Sequence, residues 1–180
     1  MAIYVETVMT LTRFFLFSAC FFFSGIAAAE DIYKEPDAFL IEAFSGEVPK
    51  PKVLWIPKDQ RAAASRILNH PPHMLRVRYW KSGERTAWIL NEVGKERPIT
   101  VGIVVDGGAI DYVEVLIYRE SIGWEVRNRW FTEQFDQAKL NKRLSLTKPI
   151  DGIVGATMSV RALTGVARLA VYLDREVNGS

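Results

Sequence analysis

The sequence predicts an α+β fold, in which an antiparallel sheet of about four strands packs against helices. Between residues 74 and 118, apolar residues recur with the two-residue period of strands, and turn signals interrupt them. Residues 158–177 instead have the period of an amphipathic helix. A run of strands followed by a run of helices is typical of the α+β class.

The strand predictions follow the chain in order. Residues 74–79 alternate between apolar and polar, and Ser82-Gly83 turns the chain into residues 86–91. Residues 99–105 are β-branched and mostly apolar, Asp106-Gly107-Gly108 is a hairpin signal, and residues 109–118 continue the pattern. These segments predict a meander of neighbouring strands.

Four segments have helical patterns, of which the last is the longest. Residues 37–44 form a short one, and residues 58–69 are rich in helix formers up to the stop at Pro71-Pro72. In residues 128–137, a helix would place Trp130, Phe131 and Phe135 for burial. In residues 158–177, Leu163 and Ala170 lie mid-stripe and Arg168 lies off the stripe.

Composition excludes several function classes. The 180 residues include 23 Lys and Arg against 21 Asp and Glu, and a net charge of +2 is too small an excess for binding to the phosphate backbone of a nucleic acid. One cysteine excludes a disulfide framework and a cysteine-ligated metal cluster. The two histidines, His70 and His73, flank Pro71-Pro72 with no further metal ligands nearby, so no metal site is expected. Redox or group-transfer chemistry would need a cofactor.

Residues 1–29 have the pattern of a signal peptide. An uncharged run of residues 14–29 follows Arg13, and Ala27-x-Ala29 is a small-x-small cleavage site. We therefore expect cleavage after Ala29 and export to a periplasm; a retained membrane anchor and lipidation of Cys20 are the alternatives. Residues 30–57 are then expected as an N-terminal lead-in, and residues 58–180 as the domain.

The segment Asp151-Gly152-Ile153-Val154-Gly155-Ala156-Thr157-Met158-Ser159 is the candidate for chemistry. It places a hydroxyl beside small residues at the start of a helix, where free N–H groups and the helix dipole favour a phosphate. The competing interpretation is that Thr157 or Ser159 only caps the helix.

Asp151 together with Gly155-Ala156-Thr157 resembles the flavinylation motif of exported FMN-binding domains. These domains occur in the C and G subunits of the sodium-pumping NADH:quinone oxidoreductase and of the Rnf complex. Val154 replaces the small hydroxyl residue usual before the glycine. Upstream elements agree with the family in order: Asp106-Gly107, Glu120-Ser121-Ile122-Gly123, Trp130-Phe131 and Gln134-Phe135, with Ile122 in place of the usual proline.

The resemblance implies FMN joined to Thr157 by a phosphoester bond. A flavin transferase, which uses FAD and a divalent metal ion, would attach it and would recognise Asp151. By the same resemblance, the backbone amides of the Gly155–Ser159 helix start, which includes Ala156, would hold the phosphate. The Glu120–Gly123 loop would lie near the flavin ring. Trp124 is a further candidate neighbour of the flavin because it directly follows Gly123.

The function expected is an electron carrier that relays electrons between membrane or periplasmic redox partner proteins. No acid–base set beyond the flavin is visible, so a carrier is favoured over a stand-alone enzyme. The alternatives are a flavin-dependent reductase that acts on a small acceptor and a binding module without flavin. No nucleic-acid partner is expected.

Overall fold

A six-stranded antiparallel sheet forms the centre of the protein. The structure, a computed structural model, describes residues 30–179, so the signal-peptide prediction for residues 1–29 lies outside the described residues. The strands have the order β1-β6-β5-β4-β3-β2, and their bounds are Asp31–Ile32, Lys52–Trp55, Arg76–Ser82, Arg85–Val93, Pro98–Asp106 and Ala109–Tyr118 for β1 to β6. The α+β class is confirmed.

The predicted meander corresponds to β3–β6, and the two edge strands are additions to it. β1 pairs with β6 through Asp31 and Tyr118, and β2 pairs with β3 through Val53 and Arg78. Both edge strands and the first helix come from residues 30–57, which were expected to be a lead-in. This segment is therefore built into the same sheet as the rest of the domain.

Within residues 30–179, four α-helices accompany the sheet: α1 Pro36–Ala43, α2 Lys58–Leu68, α3 Arg129–Thr132 and α4 Thr157–Asn178. The helix predicted for residues 128–137 is broken into the short α3 and a 3-10 turn, and another 3-10 turn, Trp124–Arg127, precedes it. Phe131 and Phe135 are fully buried, but Trp130 is 54% exposed, so its predicted burial is wrong. The Phe131 and Phe135 rings meet edge to face at 5.7 Å between centroids in the core, whereas Trp130 lies at the surface with its ring edge to face against Phe131, at 6.1 Å between centroids.

Helix α4 lies across one face of the sheet and builds the main core. Leu163 and Ala170 are fully buried there, which confirms the predicted apolar stripe. Arg168, off the stripe, is half-buried. Its guanidinium donates to the backbone carbonyls of Leu144 and Ile67, and burial lowers its pKa. No helix within residues 30–179 has the length and hydropathy needed to cross a membrane.

Helix α1 covers part of the opposite face of the sheet. Its Phe39 packs so tightly on Gly102 that a Cβ atom at Gly102 would lie only 2.6 Å from the ring. Phe39 also makes an edge-to-face contact with Tyr112, at 5.9 Å between ring centroids. Because α1 has only eight residues, the half of this face toward β2 and β3 remains uncovered.

Candidate functional site

The start of α4 presents a hydroxyl with no side-chain cap on the helix. Thr157 is the first residue of α4 and is exposed. The N-cap position is Ala156, whose side chain cannot accept a hydrogen bond, and the first turn contains no acidic residue. The interpretation that Thr157 or Ser159 only caps this helix is therefore wrong. The free N–H groups of the first turn remain available to an anion.

The loop before Thr157 turns sharply to bring the threonine to the surface. Gly155 has a φ of 86°, in the left-handed region that glycine adopts at little cost. The N–H of Ala156 donates to the carbonyl of Ile153 at 3.0 Å, which closes the turn. Val154, just before Gly155, is fully exposed. The bend leaves the Thr157 side chain at the surface.

Ser159 lies on the other side of the helix and fixes a loop. Its hydroxyl is 2.9 Å from the hydroxyl of Tyr118, and the Tyr118 hydroxyl is 2.6 Å from the carbonyl oxygen of Ile122. Because Tyr118 has one proton, which it donates to the carbonyl, Ser159 is the donor to Tyr118. Burial raises the pKa of Tyr118, so this phenol stays protonated. Sequence reasoning missed Tyr118, which joins β6, the loop and α4.

Gly123 packs directly against the start of α4. It has a φ of 84°, and a Cβ atom there would lie 2.7 Å from Ser159 Oγ and 3.3 Å from Ala156 Cβ. Only glycine fits this position without a shift of the helix or the loop. The fold thus brings the end of the Glu120–Gly123 loop against the Gly155–Ser159 segment.

Glu120 is directed toward the loop between β4 and β5. Its Oε1 accepts backbone hydrogen bonds from Lys95, Glu96 and Arg97, the latter two at 2.7 and 3.0 Å. Burial acts to raise the pKa of Glu120, but these three donors outweigh burial and lower the pKa. The carboxylate therefore anchors one loop to another.

The backbone of Asp151 is hydrogen-bonded to Gln134, which belongs to the upstream Gln134-Phe135 pair. Its backbone N–H donates to Gln134 Oε1 at 2.7 Å, so the Gln134-Phe135 pair positions the beginning of the motif. Asp151 itself is exposed.

A cleft runs from Thr157 along the outer side of α4. It has a volume of about 240 Å³ and lies between α4 and the end of α2 at Asn69. Arg161, one helical turn after Thr157, is exposed and lines the cleft, together with Thr164 and Arg168. Sequence reasoning missed Arg161 as a site residue, although its spacing of four residues from Thr157 was a usable signal.

Large apolar side chains are exposed around the same end of the domain. Ile122 and Trp124 flank Gly123 and are 53% and 44% exposed, and Met158 follows Thr157 with 41% exposed. The Arg127 guanidinium lies 4.9 Å from the centre of the Trp124 ring system. Such a surface can bind a flat aromatic group.

Comparison with known proteins identifies the same region. Residues 94–171 match the model of a family described as the FMN-binding domain. This range contains Tyr118, the Glu120–Gly123 loop and the Thr157 motif. No curated protein and no solved structure matches the chain. The match supports FMN as the bound cofactor.

Proposed function

We propose that this chain, whose residues 94–171 match the model of the FMN-binding domain family, carries FMN on Thr157 through a phosphoester bond and relays electrons between redox partners. One observation carries the proposal: Thr157 presents an exposed hydroxyl at the first position of a 22-residue helix that has no side-chain cap. The exported FMN-binding domains whose motif this segment resembles are flavinylated at the threonine that corresponds to Thr157.

The start of α4 suits a phosphate diester. The amides of the first turn have no partners within the helix, and the positive end of the helix dipole attracts an anion. The first turn contains no acidic side chain that would oppose a phosphate. Arg161 lies one turn further along the same side, where its guanidinium can offset the remaining negative charge.

A covalent bond would also explain how such an open site retains a flavin. The cleft beside Thr157 encloses about 240 Å³, below the roughly 300–1,000 Å³ of pockets that bury a ligand of this size. A tether would hold FMN without deep burial. In the transfer we propose, Thr157 Oγ displaces AMP from the phosphorus of the FMN half of FAD, and the hydroxyl proton goes to a base of the flavin transferase.

The surface around Thr157 supports a role as a carrier. FMN supplies one-electron and two-electron chemistry, and the protein determines its position and surroundings. Ile122, Trp124 and Met158 offer an apolar bed for the ring while leaving it accessible from outside. An exposed ring suits contact with partner proteins. We place this activity in a periplasm after removal of residues 1–29, with membrane or periplasmic proteins as the redox partners.

The proposal is tested by co-expression with an exported flavin transferase. After a denaturing gel, the wild-type band should show flavin fluorescence and Thr157→Ala should show none. Thr164→Ala is the matched control, because Thr164 lines the same cleft two turns further along α4, and it should fluoresce like the wild type. A dark wild-type band would favour a module without covalent flavin, and a fluorescent Thr157→Ala band would place the bond elsewhere.

Turnover assays separate the carrier from a reductase. The reduced flavoprotein should pass its electrons to a one-electron acceptor protein such as cytochrome c in stoichiometric amounts. Sustained turnover of a small organic acceptor by the purified protein and a flavin reductant would support the reductase instead.

A further inference from the structure

The uncovered half of the sheet, on the side that carries α1, forms a groove outside the FMN-binding site. Arg76, Arg78 and Trp80 of β3 and Ile89 of β4 form its floor, and Val53 of β2 and the first half of α1 form its walls. Its volume is about 500 Å³. Val77 and Tyr79, which alternate with these β3 residues, pack into the main core on the other side of the sheet. The groove therefore belongs to neither the flavin site nor the main core.

In the part of the chain that the structure describes, three other cationic residues on the same face of the sheet are neutralised by ion pairs, unlike the two arginines of this groove. Lys34 forms ion pairs with Glu42 and Glu114. Arg85 forms them with Asp106 and Asp111, and Arg119 with Glu30.

Within residues 30–179, neither Arg76 nor Arg78 has such an ion pair, and both are exposed. Asp37 lies on the wall of the groove but forms no ion pair with them. The groove thus has two guanidinium groups available to an outside carboxylate.

Aromatic residues complete the groove. The guanidinium carbon of Arg76 lies 5.8 Å from the centre of the Trp55 ring on β2. Trp55 is 64% exposed at the rim. Trp80 is half-buried on the floor and packs against the small apolar cluster that Phe39 and Leu40 of α1 form with the sheet. Tryptophan and arginine are the residues most enriched among the energetically dominant positions of protein interfaces. This composition favours a protein segment over a small ion.

The outer edge of β2 is a poor site for the addition of a strand. Pro51 precedes β2 and Pro57 follows it closely, and β2 has only four residues. Prolines and a short length both protect an edge strand from pairing with another chain. A partner is therefore expected on the face of the sheet rather than at its edge.

We propose that this groove binds an extended acidic segment of a partner protein, with carboxylates at positions i and i+2 and an apolar residue at i+4. Arg76 and Arg78 are two residues apart on one strand, a spacing of about 6.6–6.8 Å. Carboxylates at i and i+2 of an extended segment repeat at the same distance on one side. The residue at i+4 then lies over Trp80, with Ile89 diagonally across on β4.

A defined peptide tests the proposal. The probe is a synthetic peptide with the alternating sequence Glu-Ser-Glu-Ser-Leu-Ser, blocked at both ends, and it is compared with the version in which both Glu are Gln. Binding is followed by the indole N–H resonances of Trp55 and Trp80 in the ¹⁵N-labelled protein. The acidic peptide should shift both resonances saturably, with an affinity about tenfold or more above that of the Gln peptide and decreasing with salt.

Matched variants locate the binding. The double variant Arg76→Gln/Arg78→Gln should bind the acidic peptide about tenfold or more weakly than the wild type. The control Arg66→Gln/Arg143→Gln removes the same charge from exposed positions elsewhere and should bind like the wild type. Unchanged Trp80 resonances at millimolar peptide, equal binding of the Gln peptide, or equal binding by Arg76→Gln/Arg78→Gln would each overturn the proposal.

Two further measurements would assign the groove to a different occupant. Vesicles of phosphatidylcholine with phosphatidylglycerol that broaden the Trp55 and Trp80 resonances, when the peptide does not shift them, would indicate a membrane surface. A Trp80 resonance that shifts with protein concentration alone, together with dimer formation in sedimentation, would indicate a second copy of this chain. Either result would contradict the proposal of an acidic partner segment.

Discussion

The hydroxyl of Ser159 on α4 lies 2.9 Å from the hydroxyl of Tyr118 at the end of β6. The two residues are 41 positions apart in the chain, and their contact joins the helix that begins with Thr157 to the strand that leads into the Glu120–Gly123 loop. Because Tyr118 also donates to the carbonyl of Ile122, one buried phenol sets the loop against the helix. The geometry around Thr157 therefore depends on this connection.

The Tyr118–Ser159 connection predicts a stability loss that is not additive. Tyr118→Phe should lower the free energy of unfolding by about 1–3 kcal/mol, because it leaves the Ser159 hydroxyl and the Ile122 carbonyl without their partner. Ser159→Ala should cost less, and the double variant should cost less than the sum of the two, with a coupling of about 0.5–3 kcal/mol. Urea unfolding of the four proteins measures the coupling. Additive losses would show that the two hydroxyls do not interact.

Gly123 predicts a severe effect for the addition of one methyl group. Gly123→Ala should destabilise the protein by about 1–3 kcal/mol, since it combines a positive φ with a Cβ atom 2.7 Å from Ser159 Oγ. Gly152→Ala is the control, because a Cβ atom at Gly152 would meet no atom within 4 Å and its φ is not in the left-handed region, so its effect should stay within about 0.5 kcal/mol. Similar urea midpoints for the two variants would contradict the close contact of the loop with α4.

Asp174 predicts an unusual pH dependence of stability. Its carboxyl is fully buried on α4, and burial raises its pKa even though Thr86 and Asn178 donate hydrogen bonds to it. The unfolded chain releases this proton near its ordinary pKa of about 4, whereas the native protein retains it to higher pH. The unfolded state then binds fewer protons, so this group lowers the free energy of unfolding as the pH rises from about 4 through the raised native pKa.

Asp174→Asn should remove that contribution, because the amide does not ionise. The decline in stability above about pH 4 should become flatter than in the wild type, as measured by urea unfolding across the pH range. Parallel curves for the two proteins would show that Asp174 does not titrate at a raised pKa.

Substitutions on α4 should lower the free energy of unfolding by amounts that depend on how each side chain is buried and bonded. Leu163→Ala should cost about 2–5 kcal/mol, because it creates a cavity at a fully buried site. Arg168→Ala should cost about 1–3 kcal/mol, since its guanidinium donates to the carbonyls of Leu144 and Ile67. Arg161→Ala, at an exposed position, should stay within about 0.5 kcal/mol. An equal effect of Arg168→Ala and Arg161→Ala would contradict the two carbonyl contacts.

Local patterns were sufficient to predict β3–β6 and α4. Each of these elements has seven or more residues, so the period of its apolar positions is visible in the sequence. β1 and β2 have two and four residues, too few to show a period, and they exist because they pair with strands already formed. The sequence of such a short segment does not indicate which strand it will pair with.

The candidate site was predictable where it is local and not where it is formed by distant residues. The segment from Gly155 to Ser159 opens a helix, and its hydroxyls and small residues could be read directly. The contact of Tyr118 with Ser159 joins separate elements, and no periodicity reports it. Similarly, the turning of Glu120 toward the amides of residues 95–97 depends on two loops that meet only after folding.

The most direct test of the central claim is to locate the flavin in a peptide of the wild-type protein. After co-expression with a flavin transferase, trypsin should yield the peptide of residues 144–161, because Arg143 and Arg161 bound it and Pro149 protects the bond after Lys148. Fragmentation of this peptide by mass spectrometry should place FMN, linked through its phosphate, on Thr157. An unmodified peptide, or FMN on Ser145, Thr147 or Ser159, would contradict the account.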